Sequence, residues 1–557
     1  MNKFLKLSQY AGICFSMFLF SCSEDKGNYD YTEKQVITID GIPESISVES
    51  ELDYIDFKPT VTSAIDGELT EENENYTFLY QKKNSEGKWV DVEEGKDIYQ
   101  LAKLPTGSHP FVFSVTDNRT GVKALKLFMV DAKTSTSEGW MVLCNVGAEK
   151  QARMDMLTQI DLDRIFPKHD VLVYANESLK LTDAKKIGFS SSQTKNRNRI
   201  VMMAGNGSYL LPTSDDQCYK EFVKVTGVND FKKNLFMSKV DDNIVNFVTV
   251  PANIWKPDHD AQLCVSDAGN VYACNTKETM TAFESAINTS KRGDDPEYKV
   301  APFIGVSLSR NLGSRYGAAL LFDTDNHRFI GWHGVSEPAK QTCYPLEDPA
   351  PAEKKFSFQT GSMDLVSMVN TNLSEGLVYC IMQDGSNRHI YAINLADDTF
   401  KQFGAYLNLN LPNFDKATLF AASSQFSVIY YAYKNVVYAY NYLTKSCVEA
   451  LTLPAGEEVT MIKFDRIDHP WGVSGLLDGK PQADVKTELF LKRENQLIVG
   501  SFNAAEGDNG GMLRFYNTDK NGMELNLHKD KLSDGKDRTW EFDGYGQIVD
   551  IKYKEVR

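Results

Sequence analysis

Seven short apolar runs recur between residues 140 and 557, and they constrain the fold of this 557-residue chain more than any other feature. Each run has the length and composition of a β-strand, and most meet a turn-prone cluster followed by another strand. The runs are WMVLC from residue 140, RIVMMA from 199, QLCVS from 262, AALLF from 318, GLVYCIM from 376, SVIYYAY from 427 and QLIVGSF from 496. Their spacing of about 60 residues predicts repeated hairpins that carry insertions.

Four of the following strands share a five-residue pattern that ends in asparagine. The copies are VYACN at 271–275, IYAIN at 390–394, VYAYN at 437–441 and LRFYN at 513–517. The alternation predicts one buried face, and the asparagine predicts a turn that its own side chain closes. The last strand, around 547–553, is expected to complete the sheet that begins at Trp140.

These repeats predict an all-β chain with a β-propeller over residues 139–557. Radial repetition leaves few open sheet edges, and the number of runs favours seven blades. A ring of six or eight blades and a long array of β-sandwiches are the alternatives. In the insertion at 277–288, Met280, Phe283 and Ile287 share one helical stripe, which predicts a short helix within a blade.

Residues 34–133 alternate in shorter β-like runs separated by polar turn clusters. The runs are QVITI, SISVES, YTFLYQKK, KWVDV, FVFSVTD and LKLFMVDA. They predict a small N-terminal β-sandwich. The stretch 107–132 resembles the closing hairpin of PKD and Ig-like modules, in which a strand ends in a V-T-D turn. The polar segment 133–138 (KTSTSE) is the expected boundary, and the polar residues 22–33 are the expected tether.

The N-terminus predicts export and a lipid anchor. Lys3 and Lys6 precede an apolar run at 10–20, which is too short to span a bilayer and fits a signal peptide over residues 1–21. The sequence LFSC, ending at Cys22, resembles the lipobox of bacterial lipoproteins. The resemblance implies acylation of Cys22, and several acyl chains make a stable membrane anchor. The alternative is an ordinary signal peptide followed by an incidental cysteine.

The residues after Cys22, SEDK and then GNYDY, resemble the opening of the PKD-like lipoproteins of Bacteroidetes. The resemblance implies a lipid-anchored outer-membrane protein that faces the cell exterior. It also implies a non-enzymatic accessory of a SusC/SusD-type importer that captures or hands over oligopeptide or glycan. One alternative is a surface hydrolase of polysaccharide, which requires two carboxylates in the central depression of the propeller. Another is a purely structural partner of the importer.

The net charge of the chain argues against a nucleic-acid-binding function. The formal charge is −16, or −18 after loss of Lys3 and Lys6. No run of basic residues is dense enough to bind along a phosphate backbone, so nucleic acid is not an expected partner.

Seven cysteines follow Cys22 at wide spacing. Cys264 and Cys274 flank a predicted hairpin. A three-residue loop at 268–270 would place the two cysteines directly opposite each other, whereas a two-residue loop would place Cys264 opposite Ala273. A disulfide and buried thiols are the alternatives, and the wide spacing favours buried thiols.

No sequence motif specifies catalysis, a metal or a cofactor. His327 and His333 would share a face of one strand, but surface or core roles are more common for such pairs. The Asp-rich segments 323–326 and 507–511 lack the ligand series of an EF-hand, so hairpin turns are the favoured interpretation. Residues 472–475 (GVSG) lack the context of a nucleophile elbow.

Three tryptophans are candidate contacts for a sugar ring or a peptide side chain. Trp255, Trp332 and Trp471 lie near Pro, His or Gly in predicted loops. Structural anchoring is the favoured role for each. The sequence therefore predicts Cys22 as the site of lipidation and no catalytic, cofactor-binding or metal-binding residue.

Overall fold

The computed structural model describes residues 35–190, 199–211, 224–225, 242–250, 261–275, 283, 285–291, 293–307, 318–333, 342–371, 373–395, 399–467, 476–477, 480–481 and 492–554. The chain divides into two compact units. Unit 1 comprises residues 1–42, 57–98 and 112–127, and unit 2 comprises residues 43–56, 99–111 and 128–557. The described secondary structure is almost entirely β, as the sequence predicts. Among the described residues, no helix has the length and apolar character needed to span a membrane.

The first ten strands precede residue 134. They are β1 (Ile37–Asp40), β2 (Ser45–Glu49), β3 (Tyr54–Phe57), β4 (Thr60–Ser63), β5 (Gly67–Glu68), β6 (Tyr76–Lys83), β7 (Trp89–Glu94), β8 (Ile98–Leu101), β9 (Gly107–Asp117) and β10 (Lys123–Lys133). They form sheets in the orders β1-β4-β5, β2-β10-β9-β6-β7 and β3-β8. All six predicted runs of this region are strands, and β3, β4, β5 and β8 are additional. The limits predicted for the sandwich stay a prediction.

Unit 1 has an aromatic core and a polar cluster at one turn. Tyr80 stacks on Phe113 with ring centroids 4.4 Å apart, and neither side chain is exposed. The buried Asp117, which ends the V-T-D run, accepts hydrogen bonds from the backbone amide and the Nε of Arg119. The Arg119 guanidinium also pairs with Asp66 and lowers the pKa of Asp117 to about 2. This aspartate therefore fixes the turn between β9 and β10.

The remaining strands belong to unit 2. They are β11 (Gly139–Val146), β12 (Gln151–Gln159), β13 (Ile165–Lys168), β14 (Val173–Tyr174), β15 (Ala184–Ser190), β16 (Arg199–Ala204), β17 (Gly207–Leu211), β18 (Lys224–Val225), β19 (Ile244–Val250), β20 (Ala261–Ser266), β21 (Val271–Asn275), β22 (Gly305–Val306), β23 (Ala318–Asp323), β24 (Arg328–His333), β25 (Tyr344–Pro345), β26 (Asp364–Asn370), β27 (Leu377–Asp384), β28 (Asn387–Asn394), β29 (Lys401–Tyr406), β30 (Leu419–Ala422), β31 (Val428–Tyr433), β32 (Val436–Asn441), β33 (Ser446–Thr452), β34 (Glu457–Lys463), β35 (Leu476–Leu477), β36 (Lys480–Pro481), β37 (Leu497–Asn503), β38 (Gly511–Thr518), β39 (Leu525–Leu527), β40 (Lys529–Lys531), β41 (Asp537–Thr539), β42 (Glu541–Tyr545) and β43 (Gln547–Lys554). Short 3-10 turns occur at Glu177–Leu179, Leu373–Glu375 and Ala504–Asn509.

Within the described residues, unit 2 contains seven sheets of three or more strands. Their orders are β43-β11-β12-β13, β15-β16-β17, β19-β20-β21, β22-β23-β24-β25, β26-β27-β28-β29, β30-β31-β32-β33 and β34-β37-β38-β39, with β42 also paired to β38. The seven predicted apolar runs are the second strands in these orders. The four copies of the five-residue pattern lie on third strands, namely β21, β28, β32 and β38. Prediction of the hairpins from the sequence is therefore confirmed.

The last described strand, β43, pairs with β11, as the sequence predicts. Strand β43 runs antiparallel to β11, with Val142 opposite Ile551 and Trp140 opposite Tyr553. Side chains strengthen this pairing, because the hydroxyl of Tyr553 donates to Glu138 Oε1 at 3.0 Å. The polar segment 133–138 also packs here, and its Glu138 is buried in an ion pair with Lys133. Residues that are more than 400 positions apart in the sequence thus share one sheet.

Gly139, at the start of β11, permits a close approach of two backbones. Its φ is +137°, and a Cβ atom would lie 2.1 Å from the carbonyl oxygen of Leu157 on β12. We expect Gly139→Ala to lower the free energy of unfolding by about 2 kcal/mol or more, because both the dihedral and the contact are strained. Gly147→Ala is the matched control, since its φ is +69° and its Cβ would meet nothing within 4 Å. Equal midpoints for the two variants in urea denaturation would contradict this explanation.

Two local predictions need correction. Most of the segment 277–288 lies outside the described residues, but residues 285–288 are not helical. Their backbone joins β21 instead, because the amide of Ile287 donates to the carbonyl of Val271. In the hairpin of β20 and β21, Cys264 lies opposite Tyr272 and Cys274 lies opposite Gln262, a register that differs from both predicted ones. Both cysteines are buried thiols, as the wide spacing favours.

Candidate functional site

A cavity of about 440 Å³ lies where the seven sheets of unit 2 meet. Residues from seven strands line it, and each of these is the first strand in its sheet order: β43, β15, β19, β22, β26, β30 and β34. We call these the innermost strands. The arrangement is propeller-like, and the volume lies within the range of small-molecule sites. The cavity is therefore the candidate functional site.

β-bulges recur on the innermost strands and direct side chains toward this cavity. Five of them carry one extra residue relative to the second strand of their sheet, at Lys185, Val245, Val366, Thr460 and Val549. A bulge bends its strand and changes the direction in which neighbouring side chains point. On β15 the bulge lies at Lys185, next to Lys186, and both lysines line the cavity.

Charged residues occupy one wall of the cavity, formed by β15, β34 and β43. Asp550 on β43 accepts hydrogen bonds from the backbone amide of Ile187 at 3.0 Å and from Lys463 Nζ at 2.7 Å. Burial alone would lower the pKa of Lys463, but Asp550 and Asp465 outweigh burial and raise it. These bonds tie three neighbouring innermost strands together, so Asp550 has a structural role.

Asp465 follows β34 and makes an equivalent connection to β43. It accepts the backbone amide of Tyr553 at 2.7 Å and Lys552 Nζ at 3.1 Å. The neighbouring Arg466 interacts with Glu494, whose pKa is raised by burial. Both cavity carboxylates therefore have lysine and backbone partners, which distinguishes them from the paired acids that glycoside hydrolysis needs.

Lys186 has a different environment from the other cavity lysines. Its Nζ donates to the side-chain oxygen of Asn246 on β19 at 2.5 Å, and Asn246 is neutral and buried. Lys185, Lys463 and Lys552 each lie within salt-bridge distance of a carboxylate. Burial, together with repulsion from Lys463 and Lys552, lowers the pKa of Lys186 to about 8, although Asp550 opposes this shift. Lys186 is therefore a charged donor held by a neutral partner.

The opposite wall carries no charged side chain among the described residues that line it. It is formed by β19, β22, β26 and β30 and combines apolar with neutral polar groups: Phe247, Val248, Thr249, Val306, Ser367, Met368, Val369, Asn370, Thr418, Leu419, Phe420, Ala421 and Ala422. The cavity is therefore amphipathic, with cations on one side and an aromatic and aliphatic surface on the other.

The residues that the sequence singled out lie elsewhere. Cys22, Trp255, Trp471 and residues 472–475 lie outside the described residues. Trp332 lies in β24 and is buried, so its prediction as a loop residue is wrong. It belongs to the apolar core between neighbouring sheets, which explains its position.

His327 and the Asp-rich segment 323–326 lie in the turn between β23 and β24, and most of the second Asp-rich segment, 507–511, lies in the 3-10 turn between β37 and β38. His327 has a φ of +49° and lies in the turn before β24, so it does not share a strand with His333. In the same turn Asp323 Oδ1 accepts the backbone amides of Asp325 and Asn326, which confirms the turn interpretation. Across the described ranges, no group of three or more His, Cys, Asp or Glu side chains is placed to hold a metal ion.

One family model matches the N-terminal part of the chain. Residues 22–177 match the profile of the PKD-like family. The match begins at Cys22 and covers β1 to β14. It agrees with the PKD-like part of the resemblance carried by the residues after Cys22. No curated protein matches the chain.

Comparison with solved structures finds distant likenesses. A quinonprotein alcohol dehydrogenase-like protein from Bacteroides thetaiotaomicron is 11% identical, with a TM-score of 0.37, over 92% of this chain and 97% of that one. A protein from Lactobacillus plantarum is 9% identical, with a TM-score of 0.42, over 75% and 100% of the two chains. A chain of a mitotic checkpoint complex is 11% identical, with a TM-score of 0.31, over 66% and 87%. These scores are too low to support an argument about activity or ligand.

Proposed function

We propose that this chain is a lipoprotein anchored at Cys22 on the outer face of the outer membrane. In this proposal unit 2 is a closed, seven-bladed β-propeller that captures oligopeptide or glycan for a SusC/SusD-type importer without catalysing a reaction. The amphipathic cavity carries the ligand-capturing part of the proposal, because it offers separate surfaces for the charged and apolar parts of a small ligand. The lipobox-like sequence before Cys22 and the PKD-like match from residue 22 support the anchor.

An anchored binding module gains from its position beside a transporter. A tether holds the module near its partner at an effective concentration around the millimolar range, so weak contacts suffice. A hydrolase would instead need one carboxylate to donate a proton and another to attack or activate water. The hydrogen bonds that Asp465 and Asp550 make to lysines and backbone amides disfavour that use.

A pull-down from native outer membranes tests the proposed function. We expect the tagged full-length protein, extracted in mild detergent, to bring down a SusC/SusD-like pair identified by mass spectrometry. Cys22→Ala is the control, because it should remove the acyl chains and release the protein from the membrane fraction. Recovery of the importer without bound peptide or sugar would favour the purely structural role. Recovery of the lipoprotein alone would contradict a stable complex.

A further inference from the structure

The position of Lys186 suggests which class of ligand the cavity takes. The other lysines of the cavity are close to carboxylates, whereas the Nζ of Lys186 is held by the amide oxygen of Asn246. A partly buried ammonium group loses some of its hydration, and an amide oxygen replaces only part of that stabilisation. An anionic group bound beside Lys186 would supply a charge-assisted hydrogen bond in its place.

The surrounding charges limit the anion to a single negative charge. Asp550 lies close enough to raise the pKa of Lys186, and Asp465 lies on the same wall of the cavity. Lys185, Lys463 and Lys552 are each paired with a carboxylate, so Lys186 is, among the described residues, the one cavity lysine whose charge is left for a ligand. A second negative charge on the ligand would therefore meet repulsion that Lys186 alone does not offset. This argument favours a carboxylate over a phosphate dianion.

The uncharged wall defines the rest of the ligand. Phe247 and Phe420 present aromatic side chains, and Ser367 and Asn370 lie among aliphatic neighbours on the same wall. Such a surface suits an apolar or aromatic body with few hydrogen-bonding groups. The cavity of about 440 Å³ has room for a ligand of a few amino-acid residues.

We propose that the cavity binds a small monocarboxylate with an apolar or aromatic body, such as the C-terminal end of a short peptide. The carboxylate accepts a hydrogen bond from Lys186 Nζ, and the body packs against the wall that contains Phe247 and Phe420. This inference rests on the proposed ligand-capturing role and selects peptide over neutral glycan as the captured class.

Calorimetric titration of the full chain with N-acetylphenylalanine and with its amide tests this inference. We expect the acid to bind roughly 10- to 100-fold more tightly than the amide, because the amide lacks the charge that Lys186 recognises. Lys186→Met should abolish this difference while leaving thermal stability intact, since it removes a partly buried charge and keeps the side-chain length. Lys180→Met is the control, because Lys180 pairs with Glu177 and does not line the cavity, and it should keep the difference.

The pH dependence provides a second readout. Lys186 loses its proton as the pH rises through about 8, so affinity for the acid should fall roughly tenfold between pH 7 and pH 9. Asp550, Lys463 and Lys552 face Lys186 from β34 and β43, and Lys463 keeps its proton over this range because its pKa is raised. Lys186→Met should show no such fall.

Several outcomes would overturn the inference. These are equal affinity for acid and amide, a preference that persists in Lys186→Met, tighter binding of inorganic phosphate than of the acid, and no binding of either compound up to about 50 mM. Failure here together with recovery of the importer in the pull-down would reject the ligand class and leave the accessory role standing. Binding of the acid without an importer would reject the accessory role and keep the site.

Discussion

A chain that ends at Gly546 should lose the cooperative unfolding transition of unit 2. The truncation removes β43, which pairs with β11 along its length and lines the cavity beside β15 and β34. Strand β43 is the last strand that the structure describes, and its partner β11 lies more than 400 residues earlier in the chain. No strand next to β43 in the sequence can therefore take its place beside β11. The loss should therefore affect the whole unit rather than one hairpin.

The buried side chains of β43 give the expected size of the effect. Ile548, Ile551 and Tyr553 are each at most 1% exposed, and burial of a large apolar side chain contributes roughly 1.5–3 kcal/mol. The total, on the order of 5–9 kcal/mol, is comparable with the whole stability of a typical domain. The truncation also leaves the amide of Ile187 and the ammonium of Lys463 without Asp550.

Differential scanning calorimetry and near-ultraviolet circular dichroism measure this loss. The control is a chain that lacks only residues 555–557, which should unfold like the full-length protein. We expect the longer truncation to show no sharp transition for unit 2, or to be recovered only as aggregate. A transition within a few degrees of the full-length chain would show that the pairing of β43 with β11 is dispensable.

The second strands of the sheets could be predicted from the sequence because both of their faces are buried. In β20 and β23, for example, every residue is buried, so the sequence is continuously apolar. Such runs stand out against turn clusters. The five-residue pattern that ends in asparagine located the third strands correctly, but its asparagine does not close a turn in every copy. Asn441 accepts the amides of Leu443 and Thr444 as predicted, whereas Asn517 accepts from Gln496 instead.

The innermost strands, and the site with them, were largely missed. The sequences of β15, β34 and β43 mix apolar with charged residues, as in AKKIGFS of β15, which resembles an exposed segment. Strands β22 and β30 are only two and four residues long. The charges face a cavity that exists only after distant strands assemble, so no local pattern marks it. The bulges also break the alternation of period two on which strand prediction depends. For one apolar run, 199–204, a usable signal was the short charged strand 184–190 that precedes it.

Replacement of Trp540 by alanine should give the largest effect of any single substitution in the core near β43. Trp540 is fully buried and packs edge-on against Phe515, at 5.1 Å between ring centroids, and against Trp140, at 6.0 Å. Removal of a buried tryptophan side chain costs about 3–5 kcal/mol, since it loses apolar burial and leaves a cavity. A second loss adds to this, because the guanidinium of the buried Arg493 lies 4.0 Å from the Trp540 ring centroid.

The expected result is a fall of roughly 5 °C in the unfolding temperature of unit 2, given its size. Trp540→Phe should recover part of the loss, because a smaller ring keeps some of the contact with Phe515. Trp89→Ala is the control, since Trp89 is 37% exposed and should cost less than about 1 kcal/mol. If Trp540→Ala unfolds at the same temperature as Trp89→Ala, the aromatic cluster around Trp140 and Trp540 does not hold β43 in place. The effects of truncation would then have to come from the hydrogen bonds of β43 alone.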